Sequence, residues 1–231
     1  MPGQAAQEII KPVPYAPDLA FRLHQQDPAS YPFLLESAAA GTPQGRYDIL
    51  FAFPEMALTL DHQGRLAGPG ASGSQDFLSA LNGWWQHEHR ELAVSDRPFR
   101  GGWFIFLGYE LAGQIEPTLR LEADPGLPVA LASRVHAALV ADHQSHTAWL
   151  MAEPGREEHL KTMSGDVSSI AGRQAGENRS GPLLRGELAE EDPARYLEAV
   201  RRTTPYIRDG DIFYSNLSRH LRDRQQAGVA Q

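Results

Sequence analysis

At 231 residues, with 42% hydrophobic and 22% charged side chains, the chain has the length and balance of an ordinary globular protein with a sizeable core. Its formal net charge of -8 argues against a general binder of phosphate backbones, so no nucleic-acid partner is expected. The absence of cysteine removes disulfides, thiolate metal sites and thiol catalysis together, and the sequence shows neither a signal pattern nor an apolar run long enough to span a bilayer; a cytoplasmic protein without a membrane partner is expected.

Four prolines among the first seventeen residues suggest an extended N-terminal arm, residues 1–17. A short helix is predicted from Asp18 to Gln25, then a strand at Phe33–Leu35. "RYDILFAFPEMALTLDHQGRLAG" reads as strands broken at Pro54, with a hairpin turn at "DHQG" closed by Gly64. The segment "GPGASGS" is a flexible break. Behind it Phe77, Leu78, Leu81, Trp84 and Trp85 fall at helical spacing, with Ser74 as the expected N-cap.

"GGWFIFLGYELAG" then reads as a buried strand bracketed by glycines, and "SRVHAALVADHQSHTAWLMAEP" as a second strand–turn–strand unit. From Glu153 to about Gly186 the composition indicates a weak helix and a linker. A helix starts at Asp192 as cap, with Pro193 in its first turn; Tyr196, Leu197, Val200 and Ile207 form its apolar stripe, and Gly210 ends it. Pro205 should kink its last turn, and an exposed edge strand should begin at Ile212. Hairpins with flanking helices give an α+β (mixed α/β) class with antiparallel sheets.

The nine histidines give close pairs at His87–His89 and His143–His146, but no third and fourth ligand at zinc spacing, so they read as surface residues. No phosphate-loop, dinucleotide or nucleophile-elbow motif occurs. Trp84, Trp85, Trp103 and Trp149 sit in apolar patterns and are expected in the core. Glu36 and Ser37, directly after an apolar strand, pair a carboxylate with a hydroxyl, a combination suited to an ammonium group. Arg46 and Asp48 alternate with Tyr47 and Ile49, giving one polar strand face that reads as surface.

Three stretches, "PFLLES" with "GRYDILFAFP", "GGWFIFLGYELAG" and "YLEAVRRTTPYIRDGDIFYSNLSRHL", together resemble the amino-terminal half of the chorismate-using synthases, the large subunits of aminodeoxychorismate and anthranilate synthases. They come in the family's order. The "GGW…LGYELA" form and Asn216-Leu217-Ser218 resemble the aminodeoxychorismate branch more. The resemblance implies a fold of packed antiparallel sheets with helices outside, in a subunit about twice this length. It implies the organisation 1–17 arm, 18–152 synthase N-terminal-like domain, 153–190 linker, and 191–231 start of the chorismate-binding domain.

The implied function is amination of chorismate to aminodeoxychorismate, toward para-aminobenzoate and folate, with ammonia from a glutamine amidotransferase subunit. The Mg2+ ligands and catalytic groups are implied in the half beyond this chain, which alone is expected to be inactive. The resemblance also implies a tryptophan pocket walled by Leu35, Glu36, Ser37, Arg46, Tyr47, Phe213 and Asn216. Where relatives read Gln-Val before the asparagine, Tyr214-Ser215 stands here and would reshape that wall. The alternatives are an anthranilate-type fragment and a non-catalytic tryptophan-binding or interaction domain.

Overall fold

Short, largely apolar runs make most of the strands, and the computed structural model shows where they meet. It describes residues 9–37, 45–89, 95–171, 189–219 and 221–222. The chain divides into two compact units, Met1–Ala175 and Gly176–Gln231. Both are mixed α/β in an antiparallel setting. Among the described residues, no helix is long and apolar enough to cross a membrane.

In the first unit, β1 (Ile9–Val13), β2 (Phe33–Leu35), β3 (Tyr47–Ala52), β8 (Ala137–Asp142) and β9 (Thr147–Ala152) form one antiparallel sheet in the order β1-β9-β8-β3-β2. The second sheet holds β4 (Ala57–Leu60), β5 (Leu66–Ala67), β6 (Gly102–Leu107) and β7 (Ala130–Val135), in the order β5-β4-β7-β6. Helices α1 (Leu19–Gln26) and α4 (Glu157–Ala171) cover the outer face of the first sheet, where Leu23, Leu50, Leu139, Leu150 and Met163 are fully buried. Helix α2 (Phe77–Glu88) covers the second sheet through Phe77, Ala80 and Trp84. Between the sheets lie Phe51, Phe99, Val135, Val140 and Met151, with Phe33 stacked on Phe104 at 4.0 Å. A short 3-10 turn (Tyr109–Leu111) and α3 (Ala112–Ile115) follow β6.

The chain changes sheets twice at one corner. After β3 it leaves through Phe53, whose φ of 53° is unusual for a bulky residue, and Pro54. After β7 it returns through the single residue His136.

Several expectations need correction. Within the expected extended arm, Ile9–Val13 form β1, which pairs along its length with β9, and Pro12 is tolerated because the strand lies at the sheet edge. The cap of α2 is Asp76, whose carboxylate accepts the Ser79 amide; Ser74 donates its hydroxyl to the Gly70 carbonyl. Strand β6 is an edge strand, and Ile105, Phe106 and Leu107 are exposed because nothing described packs on its outer half. Helix α4 is no weak helix, since Leu160, Met163, Val167 and Ile170 form a buried stripe. The linker residues 172–188 lie outside the described set. Trp85 stands exposed on the outer side of α2, unlike buried Trp84.

The second unit holds α5 (Pro193–Arg208) and a two-residue pair, β10 (Ala189–Glu190) with β11 (Leu221–Arg222). Asp192 caps α5 and Pro193 opens it. The helix runs through Pro205 without a break, and the missing proline N–H costs it one intrahelical bond. It closes on Gly210 (φ 85°), with Asp211 N–H donating to the Tyr206 carbonyl at 2.9 Å and Gly210 N–H to Ile207 at 3.3 Å. The strand expected from Ile212 does not form: residues 211–219 pair with no described strand, and Phe213 is 98% exposed.

Candidate functional site

Strand alternation decides which side chains of β3 meet. Tyr47, Ile49 and Phe51 point between the sheets, while Asp48 and Leu50 point to the helix side. Asp48 is buried, against the expectation of a surface position, and a chain of hydrogen bonds accounts for it. The Ser37 amide donates to Asp48 Oδ1 at 2.8 Å, and His143 Nε2 lies 2.9 Å from Oδ2. His143 Nδ1 then faces the Tyr15 hydroxyl at 2.9 Å. With its Nε2 proton on Asp48, the imidazole accepts from Tyr15, so this histidine is a structural tie and not a solvated surface residue. The Ser37 hydroxyl donates to the Tyr47 carbonyl at 2.6 Å, which fixes the end of β2 on the start of β3.

Arg46 is positioned by the β8–β9 hairpin. Its Nε and Nη2 both donate to Asp142 Oδ2, at 3.0 and 2.7 Å, while Oδ1 accepts the Gln144 and Ser145 amides that close the turn. The Arg46 hydrogen bonds, aided by the turn amides, hold the Asp142 carboxyl at about 2, below the usual carboxylate range. The guanidinium also lies over the Tyr47 ring at 4.7 Å.

Arg46 and Tyr47 form one side of an open cleft of about 320 Å³; Arg97 and Trp149 form the other, with Arg97 over the Trp149 ring at 4.8 Å. Of the seven residues expected at an effector pocket, the structure thus gathers Ser37, Arg46 and Tyr47 directly. Leu35 pairs with Ile49 on the same strand pair and is half-exposed; Glu36 is exposed. Phe213 and Asn216 are exposed residues of the second unit.

A second constellation was missed in the sequence. Arg134, on β7, is buried, and each of its three side-chain nitrogens donates a hydrogen bond. Nε donates to Glu88 Oε2 (2.7 Å), Nη1 to the Gly102 and Val135 carbonyls (both 2.8 Å), and Nη2 to Glu153 (2.8 Å). Its guanidinium lies 4.6 Å from the Trp103 ring centre. Glu153 also accepts from His136 Nδ1 at 2.8 Å, and Arg156 bridges His136 and Glu55. Burial opposes the Glu153 charge, but His136 and Arg134 outweigh it, so its carboxyl stays below its ordinary range. Burial lowers His159, which stacks on Phe53 at 5.0 Å. His136 is buried in this cluster, which corrects the surface reading for it as well.

The cluster sits where the chain switches sheets, and each side-chain nitrogen of Arg134 has an internal partner. It is a fastening rather than a reaction centre. Its signal in the sequence was Arg134 and His136 within the otherwise small and apolar run "ALASRVHAALVA", since a charge in a buried strand must be paired.

Among the described residues, no group of three or more His, Asp and Glu gathers as a metal site.

Two stacked antiparallel sheets with helices on their outer faces, and a polar–aromatic cleft beside the joined ends of β2 and β3, define a mixed α/β chain with a two-sheet core. Residues 32–227 match the family described as chorismate binding enzyme, and the chain belongs to that family. It is 33% identical over 216 residues to anthranilate synthase component 1 of Thermus thermophilus, covering 87% of this chain and 43% of that protein. It is 24% identical over 234 residues to aminodeoxychorismate synthase component 1 of Escherichia coli, covering 89% and 47%. The crystal structure of anthranilate synthase component I from Streptococcus pneumoniae superposes with a TM-score of 0.50 at 20% identity, covering 78% of this chain and 41% of that one; this is a likeness of fold. The chain spans less than half the length of the relatives it matches. The anthranilate-type relatives are at least as close as the aminodeoxychorismate one, so the expected leaning to the latter branch gains no support from identity.

Proposed function

We propose that this chain is the front portion of a chorismate-aminating subunit of the aminodeoxychorismate type. In the complete subunit, ammonia from a glutamine amidotransferase partner would form the new C–N bond at C4 of chorismate, and the displaced hydroxyl would leave with a proton as water. The groups that act on the ring, and the Mg2+ they use, belong on this reading to the remainder of the subunit. The observation that carries it is the family match across residues 32–227, together with the three motifs in family order.

The contribution of this chain is an effector pocket at the ends of β2 and β3. Glu36 supplies negative charge for an ammonium, and the Ser37 oxygen, already donating to Tyr47, is free to accept from it. Leu35 and Tyr47 supply apolar wall. The anthranilate-type reading is the second one, favoured by the 33% identity to the Thermus thermophilus component.

Incubating the chain with chorismate, ammonium and Mg2+ should give no aminated product by chromatography, and either product would refute the assignment of the chemistry elsewhere. Thermal unfolding with tryptophan tests the pocket: a saturable rise in midpoint that is abolished in Ser37→Ala supports it, and an unchanged midpoint refutes it.

A further inference from the structure

The cleft beside β3 contains two arginines held in unlike ways. Arg46 is spent on one side: Nε and Nη2 serve Asp142, the ring of Tyr47 supports its plane, and Nη1 is left over. Arg97 is not spent at all. Its guanidinium lies over Trp149 at 4.8 Å and makes no hydrogen bond or ion pair among the described residues. A ring beneath a guanidinium fixes its plane without using its N–H edge, so the donor fork stays directed outward and pre-organised. Both arginines line the same opening of about 320 Å³, at the lower end of the range for small-molecule sites.

The remaining lining is Ser95, Asp96 and Pro98 with the two aromatic rings. The wall charge is therefore two arginines against exposed Asp96, with Asp142 behind Arg46. One added negative charge is welcome there; a second would meet these carboxylates. In a chain of net charge -8, such a place is a local exception.

We propose that this cleft is a binding site for a small monocarboxylate, held by the N–H fork of Arg97 and the spare Nη1 of Arg46. The planar body of an aromatic acid would lie on the guanidinium faces turned away from Trp149 and Tyr47. The site shares Arg46 and Tyr47 with the effector pocket but is centred on Arg97 and Trp149, and it stands whether or not Leu35–Ser37 take an amino acid.

The test is calorimetric titration of the 231-residue chain with benzoate, and in a parallel arm with inorganic phosphate, at constant ionic strength. Benzoate should bind saturably. Arg97→Gln should weaken it by about tenfold or more, because a charge-assisted, two-pronged contact is lost. Arg97→Lys should retain part of the affinity, since the point charge remains without the fork. Thermal unfolding of both Arg97 variants should match the parent, which separates lost binding from lost folding. No saturable binding of benzoate, equal binding by Arg97→Gln, or phosphate binding more tightly than benzoate would each overturn the proposal.

Discussion

Replacing Arg134 with methionine isolates what the corner cluster does. Met keeps most of the side-chain length and can still lie against Trp103, but it removes every donor. Glu88 and Glu153, only 20% and 12% exposed in their side chains, would then lose their main cationic partner. The Gly102 and Val135 carbonyls would lose theirs as well. Breaking one side of a buried ion pair costs about 3–5 kcal/mol, because the remaining charge stays desolvated. For a unit of this size that corresponds to a midpoint lower by about 6–20 °C.

Urea unfolding followed by tryptophan emission measures the loss directly, with an unchanged slope expected if the native fold persists. Adding Glu88→Gln and Glu153→Gln to Arg134→Met should recover part of it, since no buried charge would remain. A loss below about 1 kcal/mol for Arg134→Met, or a further loss on adding the two glutamines, would refute the reading of the cluster as a paired fastening.

The Asp142 carboxyl is lowered to about 2 in the folded chain from an ordinary 3.8, so its contribution is fully present above about pH 4 and lost as the pH falls through about 2. Because Arg46 is 42% exposed, that contribution is about 1–2 kcal/mol, and Asp142→Asn should flatten the acid limb of a stability–pH curve by this amount. Gly101→Ala should cost about 2–3 kcal/mol by urea unfolding. The residue sits at φ 95°, and a Cβ would come 1.9 Å from Glu153 Oε1, an atom Arg134 holds in place. Tyr31→Phe should cost about 1–2 kcal/mol in the same assay, since its hydroxyl donates to Asp166 at 2.5 Å and so ties the start of β2 to α4. Burial and then Asp166 raise the Tyr31 hydroxyl far above its ordinary value, so this loss should be the same across neutral pH.

Much of the fold was legible because one residue type after another repeated its period. Ala137–Asp142 and Thr147–Ala152 are apolar runs around a turn-forming "DHQSH", and they pair with each other as read. Asp192, Pro193 and Gly210 mark the ends of α5 by their own backbone chemistry. What escaped depended on distant partners. Lys11 and Pro12 look like a break until β9 is placed beside them. The outer half of β6 has the composition of a core strand, but composition does not report that it lies at an edge. Arg134 finds Glu88 46 positions away and Glu153 19 positions away, distances that leave no spacing pattern to read. For the site, Ser37, Arg46 and Tyr47 were named through resemblance, whereas Arg97 and Trp149 are joined only by the stacking of the two sheets.

The fastening and the cleft lie at opposite ends of the same strands. Strand β3 starts at Tyr47 in the cleft wall and ends beside Phe53 at the corner, while β8 leaves the corner at Ala137 and ends at Asp142, which holds Arg46. Each spans six residues, about 20 Å of extended chain. Arg46 is therefore carried by the first sheet's far end, and so is Trp149 on β9. Arg97 arrives from the segment that inserts Phe99 between the sheets and leads into β6 of the second. The spacing between the two guanidinium groups thus depends on how one sheet is seated on the other. Of the corner bonds, the one from Arg134 on the second sheet to Glu153, directly after β9 of the first, crosses between the sheets and fixes that seating. A variant that loosens the corner without unfolding the chain, such as Glu153→Gln, should weaken carboxylate binding at a cleft it does not touch. Equal benzoate affinity in that variant and the parent would show that the sheet stacking is held by the apolar layer around Phe51, Phe99 and Met151 alone.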